Sequence, residues 1–245
     1  MMLSERELER YDRQIMIPGI GIEGQEKLKS TTVAVVGVGG LGCPASLYLA
    51  AAGFGRIILI DEGRFELSNL NRQIHGWQRD IGRLKVEAAK EKLTALNPDV
   101  EVETQTIKLT EENVDEALGE ADIVVDGLDN WRTRFLVNEH CVQHRKPFIH
   151  AGVRALYGQM TTIKPGEGPC LRCIFPQNPP EAERFPVLGA TPALFAALQV
   201  IEAVKLVTGI GRPLVGRLLF FDGEEMRFEI VDVERNQDCP TCGYL

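Results

Sequence analysis

A short apolar run that ends in a cluster of glycines constrains the fold of this chain more than any other segment. The segment reads TTVAVVGVGGLGCP over residues 31–44. Gly37, Gly39 and Gly42 fit the pattern G-x-G-x-x-G, which turns a strand into a helix and lets backbone N–H groups approach a phosphate. Asp61 ends the next apolar run, where a carboxylate can bind ribose hydroxyls. This order predicts a nucleotide-binding α/β fold, with a tight turn that holds no ligand as the alternative.

Strand and helix patterns alternate along the chain and fall into two groups. Strands of the first group are predicted at 32–36, 56–61, 101–107, 121–126 and 147–153. Helices are predicted at 4–16, 22–29, 41–52, 83–96 and 131–143. The second group has strands at 157–165, 216–222 and 226–233 and a long helix capped by Thr191 and ended by Gly209. We therefore expect a Rossmann-like, doubly wound mixed sheet with an antiparallel C-terminal extension.

Net charge and hydropathy exclude some classes of partner. The formal charge of -8, without a long Lys/Arg run, disfavours nucleic-acid binding. No apolar run approaches the roughly 18 residues that a membrane span needs. The charged N-terminus does not resemble a signal peptide. We expect a cytoplasmic protein, in which cysteines are metal ligands, reactive thiols or core residues more often than disulfides.

The glycine turn does not choose between NAD and ATP, so the choice depends on charged residues further along the chain. Cleavage of ATP between its α and β phosphates needs cations on the phosphates and an anchor for Mg²⁺. Arg72 and Lys85 can supply the positive charge. Asp129 follows a predicted strand and is placed to hold Mg²⁺ through oxygen. Each of these residues alone is typical of a solvated surface, and their combination favours ATP.

Four of the six cysteines form two C-x-x-C pairs, Cys170 with Cys173 and Cys239 with Cys242. Two such pairs can close a tetrahedral, all-thiolate zinc site. Four protein ligands leave no open position, so the site would be structural. A redox dithiol and disulfides are the alternatives. Cys43 and Cys141 are interpreted as core residues.

The ordered motifs YDRQI, GVGGLG, LID, SNLNRQ and LDN, followed by the two C-x-x-C pairs, carry a family resemblance. Over essentially the whole chain they resemble the MoeB/ThiF/HesA family of the ubiquitin-activating-enzyme superfamily, and most of all its molybdopterin-synthase adenylyltransferases. The resemblance implies one domain over 1–245, with an N-terminal helical segment (1–30), a nucleotide-binding part (31–152) and a carrier-binding and zinc part (153–245). It implies that ATP and Mg²⁺ activate the C-terminal Gly-Gly carboxylate of a small ubiquitin-like sulfur carrier (MoaD/ThiS type). Acyl-adenylate and pyrophosphate would be the products.

The resemblance also implies roles for individual residues. Arg13, Arg72, Lys85 and Asp129 would be catalytic, with Arg13 entering the site of the partner subunit in a homodimer. The carrier carboxylate is the nucleophile, so the enzyme has to position two anions and neutralise charge rather than attack. The implied nucleotide-binding set is Gly37, Gly39, Gly40, Gly42, Asp61, Ser68, Asn69, Asn71, Arg72, Gln73, Lys85, Asp129 and Asn130.

The loop before the long helix departs from part of that family. Thiamine-branch and protein-modifier-activating members carry a cysteine there, whereas residues 175–189 contain none. The chain ends three residues after Cys242. Both features predict adenylation alone, with a separate protein as sulfur donor. The loop is either a lid over the carrier tail or a plain surface connection.

Three other functions remain open from the sequence. The adenylated carboxylate could belong to a peptide or to a tRNA modification. The chain could be a scaffold that binds a carrier or nucleotide without turnover, although Arg13, Arg72, Lys85 and Asp129 are all present. An NAD-dependent oxidoreductase would explain residues 37–61 and nothing after residue 65.

Overall fold

A computed structural model describes residues 2–180 and 185–245 of the chain. Its strands are β1 (Thr32–Val36), β2 (Arg56–Ile60), β3 (Glu101–Gln105), β4 (Ile123–Asp126), β5 (Phe148–Arg154), β6 (Tyr157–Ile163), β7 (Arg217–Asp222) and β8 (Arg227–Asp232). Its α-helices are α1 (Glu5–Arg10), α2 (Asp12–Ile15), α3 (Gly21–Lys29), α4 (Gly42–Ala52), α5 (Lys85–Leu96), α6 (Val114–Leu118), α7 (Trp131–Gln143), α8 (Leu171–Ile174) and α9 (Ala190–Thr208). Single 3₁₀ turns lie at Leu67–Asn69 and Gln78–Asp80.

The strands form one eight-stranded sheet in the order β3-β2-β1-β4-β5-β6-β7-β8. The first five strands of that order are parallel. Strands β6, β7 and β8 continue the sheet in antiparallel pairs. This confirms the predicted Rossmann-like mixed sheet. The chain turns outward in opposite directions from β1 and β4, so a crevice opens where the loops after these strands diverge.

Helices cover both faces of the central parallel strands β1, β2 and β4, so these strands are apolar on both sides. One core cluster includes Val33 and Val35 of β1 with Phe195 of α9. The opposite cluster includes Val36 of β1 with Phe135 of α7, and it continues into the cysteine-rich segment. The sheet therefore separates two packed layers, and the carboxyl ends of its strands and the loops that follow them line the crevice.

Several boundaries differ from the sequence-based prediction for physical reasons. The predicted helix at 4–16 is split at Tyr11, whose buried hydroxyl accepts a hydrogen bond from the Asn97 side chain at 2.8 Å. Its capping box is confirmed, since the Ser4 and Glu7 side chains each bond the other residue's backbone. Helix α9 is capped by Gly189 rather than Thr191. Helices α6 and α8 were not predicted, because four or five residues carry little periodicity and depend on tertiary packing.

The expectation that no segment has the length and apolar character of a membrane span was wrong for α9. This 19-residue helix has a mean hydropathy of 1.5 over the tested window. It packs against α4 and β5, and 44% of that window is buried in the fold. Its apolar residues include Phe195 and Ala196, which pack in the hydrophobic core.

The polar segment at 62–81 is fixed by a buried carboxylate. Asp80 is fully buried, pairs with Lys92 and Arg83, and accepts the Trp77 N–H at 3.0 Å. Burial alone would raise the pKa of Asp80, but the hydrogen bonds from Lys92 and Trp77 outweigh it and lower that pKa. These bonds give a long irregular connection a single conformation beside the crevice.

Candidate active site

A cavity of about 280 Å³ lies in the crevice at the carboxyl ends of β1, β2 and β4. The glycine turn forms one wall, and the loop after β4 forms another. Predicted residues in its lining are Gly37, Gly39, Gly40, Asp61, Arg72, Gln73, Lys85, Asp129 and Asn130. Residues separated by as many as 93 positions thus meet around one space large enough to hold part of a nucleotide.

Backbone contacts explain two of the glycines. Gly37 has φ +90°, and a Cβ there would lie 2.6 Å from the carbonyl oxygen of Gly127. A Cβ on Gly42 would lie 1.8 Å from the carbonyl oxygen of Gly37. These positions exclude any side chain whether or not a ligand binds. Gly39 and Gly40 are less crowded and face the cavity just before α4, where free N–H groups attract anions.

Two polar side chains border the glycine turn. Asp61 accepts backbone N–H groups from Val38 and Gly63, each at 2.7 Å. Each carboxylate oxygen keeps a further lone pair, so Asp61 can still accept from a hydroxyl group. Gln73 is 5% exposed, and its Oε1 has no hydrogen-bond partner among the described residues. A buried acceptor of this kind needs a donor from a ligand or water.

Cations surround the other side of the cavity. Arg72 Nη1 donates to the Ser68 carbonyl oxygen and to Asn71 Oδ1, both at 3.0 Å, which holds the guanidinium in place. Lys85 begins α5, and an added Cβ on Gly63 would lie 3.3 Å from its Nζ. Lys108 also lines the cavity and was not predicted. Three positive side chains around one cavity favour a polyanion.

The loop after β4 brings Asp129 and Asn130 to the cavity. Asp129 is exposed, so its carboxylate can reach a cation there. Asn130 caps α7, because its Oδ1 accepts the Thr133 N–H at 2.9 Å. This cap fixes where the loop ends and hence where Asp129 stands.

Five predicted residues lie outside the cavity lining. Gly42 packs on the glycine turn as described. Ser68 and Asn71 support Arg72 from behind. Asn69 Oδ1 accepts the Glu66 N–H at 3.1 Å within its own turn. The Arg13 side chain is 91% exposed and pairs only with neighbouring Asp12, at 3.9 Å, among the described residues.

Sequence reasoning missed a buried network beneath the Gly127–Asp129 loop. Asp126 is fully buried and accepts from Arg134 Nε at 2.9 Å, from the Leu128 N–H at 2.9 Å and from His150 Nδ1 at 2.6 Å. Burial would raise the pKa of Asp126, but the Arg134 charge and the His150 bond outweigh it and lower that pKa. Gln199 of α9 donates to the Asp126 carbonyl oxygen at 3.0 Å. The only sequence signal was an acidic residue at the end of an apolar strand.

A groove of about 430 Å³ continues from the cavity toward the antiparallel strands. It shares five residues with the cavity lining, Leu41, Leu128, Asp129, Val153 and Phe185. Its other walls are Trp131, Arg134, Gly152, Arg154, Tyr157, Gly158, Gln159, Pro179, Pro180 and Phe220. Part of the loop predicted as lid or connection therefore borders both spaces, while its residues 181–184 lie outside the described residues.

The two C-x-x-C pairs meet as predicted. The Sγ atoms of Cys170 and Cys239 are 3.6 Å apart, and those of Cys173 and Cys242 are 3.4 Å apart. All four cysteines are free thiols, so no disulfide joins them. Cys43 and Cys141 are fully buried elsewhere, which confirms their interpretation as core residues.

Comparisons with known proteins agree with this geometry. A model of the ThiF family matches residues 11–241. The chain is 45% identical to the heterocyst protein HesA of Trichormus variabilis over 98% of this chain and 91% of that protein. It is 43% identical to a sulfur carrier protein adenylyltransferase of Thermus thermophilus over 99% of this chain and 93% of that protein. The crystal structure of Escherichia coli MccB with ATP superposes with a TM-score of 0.86 at 26% identity, over 99% of this chain and 77% of that one.

Proposed function

This chain belongs to the ThiF family and is an adenylyltransferase, and on that premise we propose that it adenylates the C-terminal Gly-Gly carboxylate of a small ubiquitin-like sulfur carrier of the MoaD/ThiS type. One observation carries the proposal: a cavity with a glycine turn and three cations opens directly into a groove that could take an extended tail. The name of the Thermus relative supports a sulfur carrier as the substrate. Family membership leaves no support for an NAD-dependent oxidoreductase.

In this proposal the cavity binds ATP. The phosphates lie against Gly39 and Gly40, with Arg72 and Lys85 offsetting their charge. The ribose hydroxyls bond to Asp61. The carrier carboxylate attacks the α-phosphorus, and the bond from that phosphorus to the bridging oxygen breaks. Pyrophosphate leaves with the electron pair, so the step needs positioning and charge neutralisation rather than a protein nucleophile.

Mg²⁺ fits the donors that the cavity offers. Asp129 supplies an exposed carboxylate oxygen, the type of ligand that Mg²⁺ prefers, and phosphate oxygens would complete the shell. When bound, Mg²⁺ would offset charge on the phosphates. The work of the chain itself is to hold Asp129 at the carboxyl end of β4, which the Asn130 cap and the Asp126 bond to the Leu128 N–H do.

Structural Zn²⁺ fits the four thiols. Tetrahedral thiolates about 2.3 Å from zinc lie about 3.8 Å from one another. Three of the six Sγ separations are 3.4 to 4.0 Å, and all four Sγ atoms lie within 4.8 Å of one another, which agrees with this spacing. The thiols would tie the C-terminal segment to the start of α8 and supply no chemistry to the reaction.

The same proposal extends to partners. We propose a homodimer in which Arg13 enters the cavity of the partner subunit, because its side chain is exposed and does not line the cavity of its own chain. Residues 31–152 bind the nucleotide and 153–245 bind carrier and zinc. A separate protein donates sulfur to the acyl-adenylate, since residues 175–189 contain no cysteine. Cytoplasmic localisation is part of the proposal.

ATP–pyrophosphate exchange tests this function. The protein is assayed with Mg²⁺ and with each small Gly-Gly-ending protein of the source genome in turn. We expect exchange that depends on one carrier and disappears when its last glycine is removed. Lys90→Ala, on the exposed side of α5, serves as a control beside Lys85→Ala and retains full exchange. A folded, ATP-binding protein that shows no exchange with any carrier would point to another carboxylate or to a scaffold.

A further inference from the structure

Arg134 occupies an unusual position between the two spaces. It lies on α7, is 6% exposed and lines the groove but not the cavity. Its Nε donates to Asp126 at 2.9 Å, and its Nη2 donates to the carbonyl oxygens of Leu128 and Ala151. One guanidinium thus joins the end of β4, the loop that carries Asp129 and strand β5. These contacts fix its orientation.

The remaining nitrogen of that guanidinium is open. Within residues 2–180 and 185–245, no hydrogen-bond acceptor contacts Nη1. The group also lies over the Trp131 ring, 5.1 Å from its centroid, so one face is covered by an apolar wall. Nη1 is not among the sealed, unpartnered nitrogens of the described residues, and Arg134 lines the groove. A buried arginine with two nitrogens occupied and a third still accessible is preorganised to bind one more anionic oxygen.

The charges of the groove favour an anion at this position. Arg134 and Arg154 line it, and Asp129 is the acidic residue in its described lining. The rest of the wall is mainly aromatic, proline and glycine. A tail that ends in a carboxylate would therefore meet positive charge in the groove, and Arg134 bonds there to Leu128, which lines both spaces. A carboxylate held beside the cavity is positioned to attack ATP.

We propose that Arg134 binds the terminal carboxylate of the carrier tail through Nη1 while its other nitrogens hold the loop that carries Asp129. The inference rests on the proposed function, because it requires a Gly-Gly tail in the groove. Arg134 would then contact the tail and also hold the loop of Asp129, the proposed Mg²⁺ ligand. The free N–H orients the attacking oxygen and contributes no proton to the reaction.

The test compares the carrier that supports exchange with the same carrier ending in a carboxamide. Binding of both forms is measured by calorimetry without ATP. The wild-type protein is expected to bind the carboxylate form about tenfold more tightly, as one charge-assisted bond allows. In Arg134→Gln the preference falls to below twofold. Arg134→Lys keeps a cation beside Asp126, but one ammonium group cannot bond to all the partners of the guanidinium, so this variant should also lose the preference for the carboxylate form. It provides the test if Arg134→Gln does not fold.

A matched control separates binding from stability. Lys92→Gln removes another cation that pairs with a buried aspartate, Asp80, away from the groove. It should lower the melting temperature yet keep the tenfold preference. A preference that persists in either folded Arg134 variant, or one that is absent in the wild type, overturns the role of Arg134 while exchange still supports the proposed function. Absence of exchange with every carrier overturns both.

Discussion

The parallel and antiparallel parts of the sheet differ in how completely the chain itself covers them. In β1, four of five residues are buried and the fifth is half-buried. In β8, all six residues are exposed, including Phe228, Ile230 and Val231. Strand β7 between β6 and β8 is intermediate. The chain thus buries the central strands of the parallel part, whereas the antiparallel part exposes apolar side chains on β8.

The two parts also differ in what holds them. The parallel part fixes its loops with buried ion pairs, Asp80 with Lys92 and Asp126 with Arg134. The antiparallel part has two thiols in the connection after β6 and two after β8, and their Sγ atoms meet although the paired cysteines are 69 positions apart in sequence. A buried carboxylate that is paired with side chains of the same protein requires no bound ion for its stability, whereas four clustered thiols are typical of a metal site. This contrast teaches that the parallel part is preorganised by the chain itself, and it predicts that the antiparallel part depends on a metal and on a partner.

The largest expected effect is on catalysis in the parallel part. Arg72→Ala should lower carrier-dependent exchange about 10³-fold, or ~4 kcal/mol, because a fixed cation no longer meets the charge that develops on the phosphates. The melting temperature should hardly change, since Arg72 bonds only within residues 68–72 among the described hydrogen bonds. A loss below tenfold, with Lys90→Ala as the reference, would contradict the placement of ATP.

The next largest effect concerns the thiols. Cys173→Ser should lower the free energy of unfolding by ~3 kcal/mol and abolish zinc binding, because one ligand of four is lost. Chemical denaturation and metal analysis of freshly purified, reduced protein measure both. Cys141→Ala, a core cysteine on α7, should keep the zinc. Wild-type protein without zinc would break the contrast between the two parts.

A third effect depends on pH and arises from the parallel part. His75 is 1% exposed and lies 2.9 Å from the Ser46 hydroxyl through Nε2; burial, with the nearby Lys92 charge, lowers its pKa to about 4. The unfolded chain therefore binds a proton below about pH 6.5 while the folded chain does not. The stabilisation is complete above pH 6.5 and is lost as the pH falls toward 4, so unfolding free energy should drop ~2 kcal/mol between pH 7 and pH 5. The drop should be smaller in His75→Gln, and an equal drop in that variant would assign it to other groups.

The smallest effect is expected on β8. Ile230→Ala should cost ~0.5 kcal/mol of unfolding free energy, because its side chain is half exposed already. Ile58→Ala, at a fully buried position in β2, should lose several times more. Denaturation of both variants compares the two parts directly. Equal losses would mean that β8 is covered in solution, for example by the partner subunit.

Local sequence patterns predicted those features of the fold that depend on residues close together in the sequence. The glycine turn, the parallel strands and the Asp61 position follow from short motifs, and the structure places them together. Ser68 and Asn71 lie in the same motif as Arg72, yet they stand behind it, because proximity in sequence does not say which side faces a cavity. The Arg134 network could not be predicted. Its partners come from three elements, and only tertiary packing brings them within hydrogen-bond distance.

The crowded contact between Gly37 and Gly127 has a consequence for how glycine variants are interpreted. A methyl group on either residue would overlap the other's carbonyl oxygen, at 2.6 Å from Gly37 and 2.1 Å from Gly127. If an alanine variant at either of these sites is inactive, a displaced loop is sufficient to explain the loss. Such a variant therefore does not test whether the glycine turn binds phosphate. At Gly40 a Cβ would approach its neighbours no closer than 3.4 Å, so the fold tolerates alanine there. Gly40→Ala is therefore the informative member of an alanine scan, because any change in nucleotide affinity arises at the surface that the ligand touches.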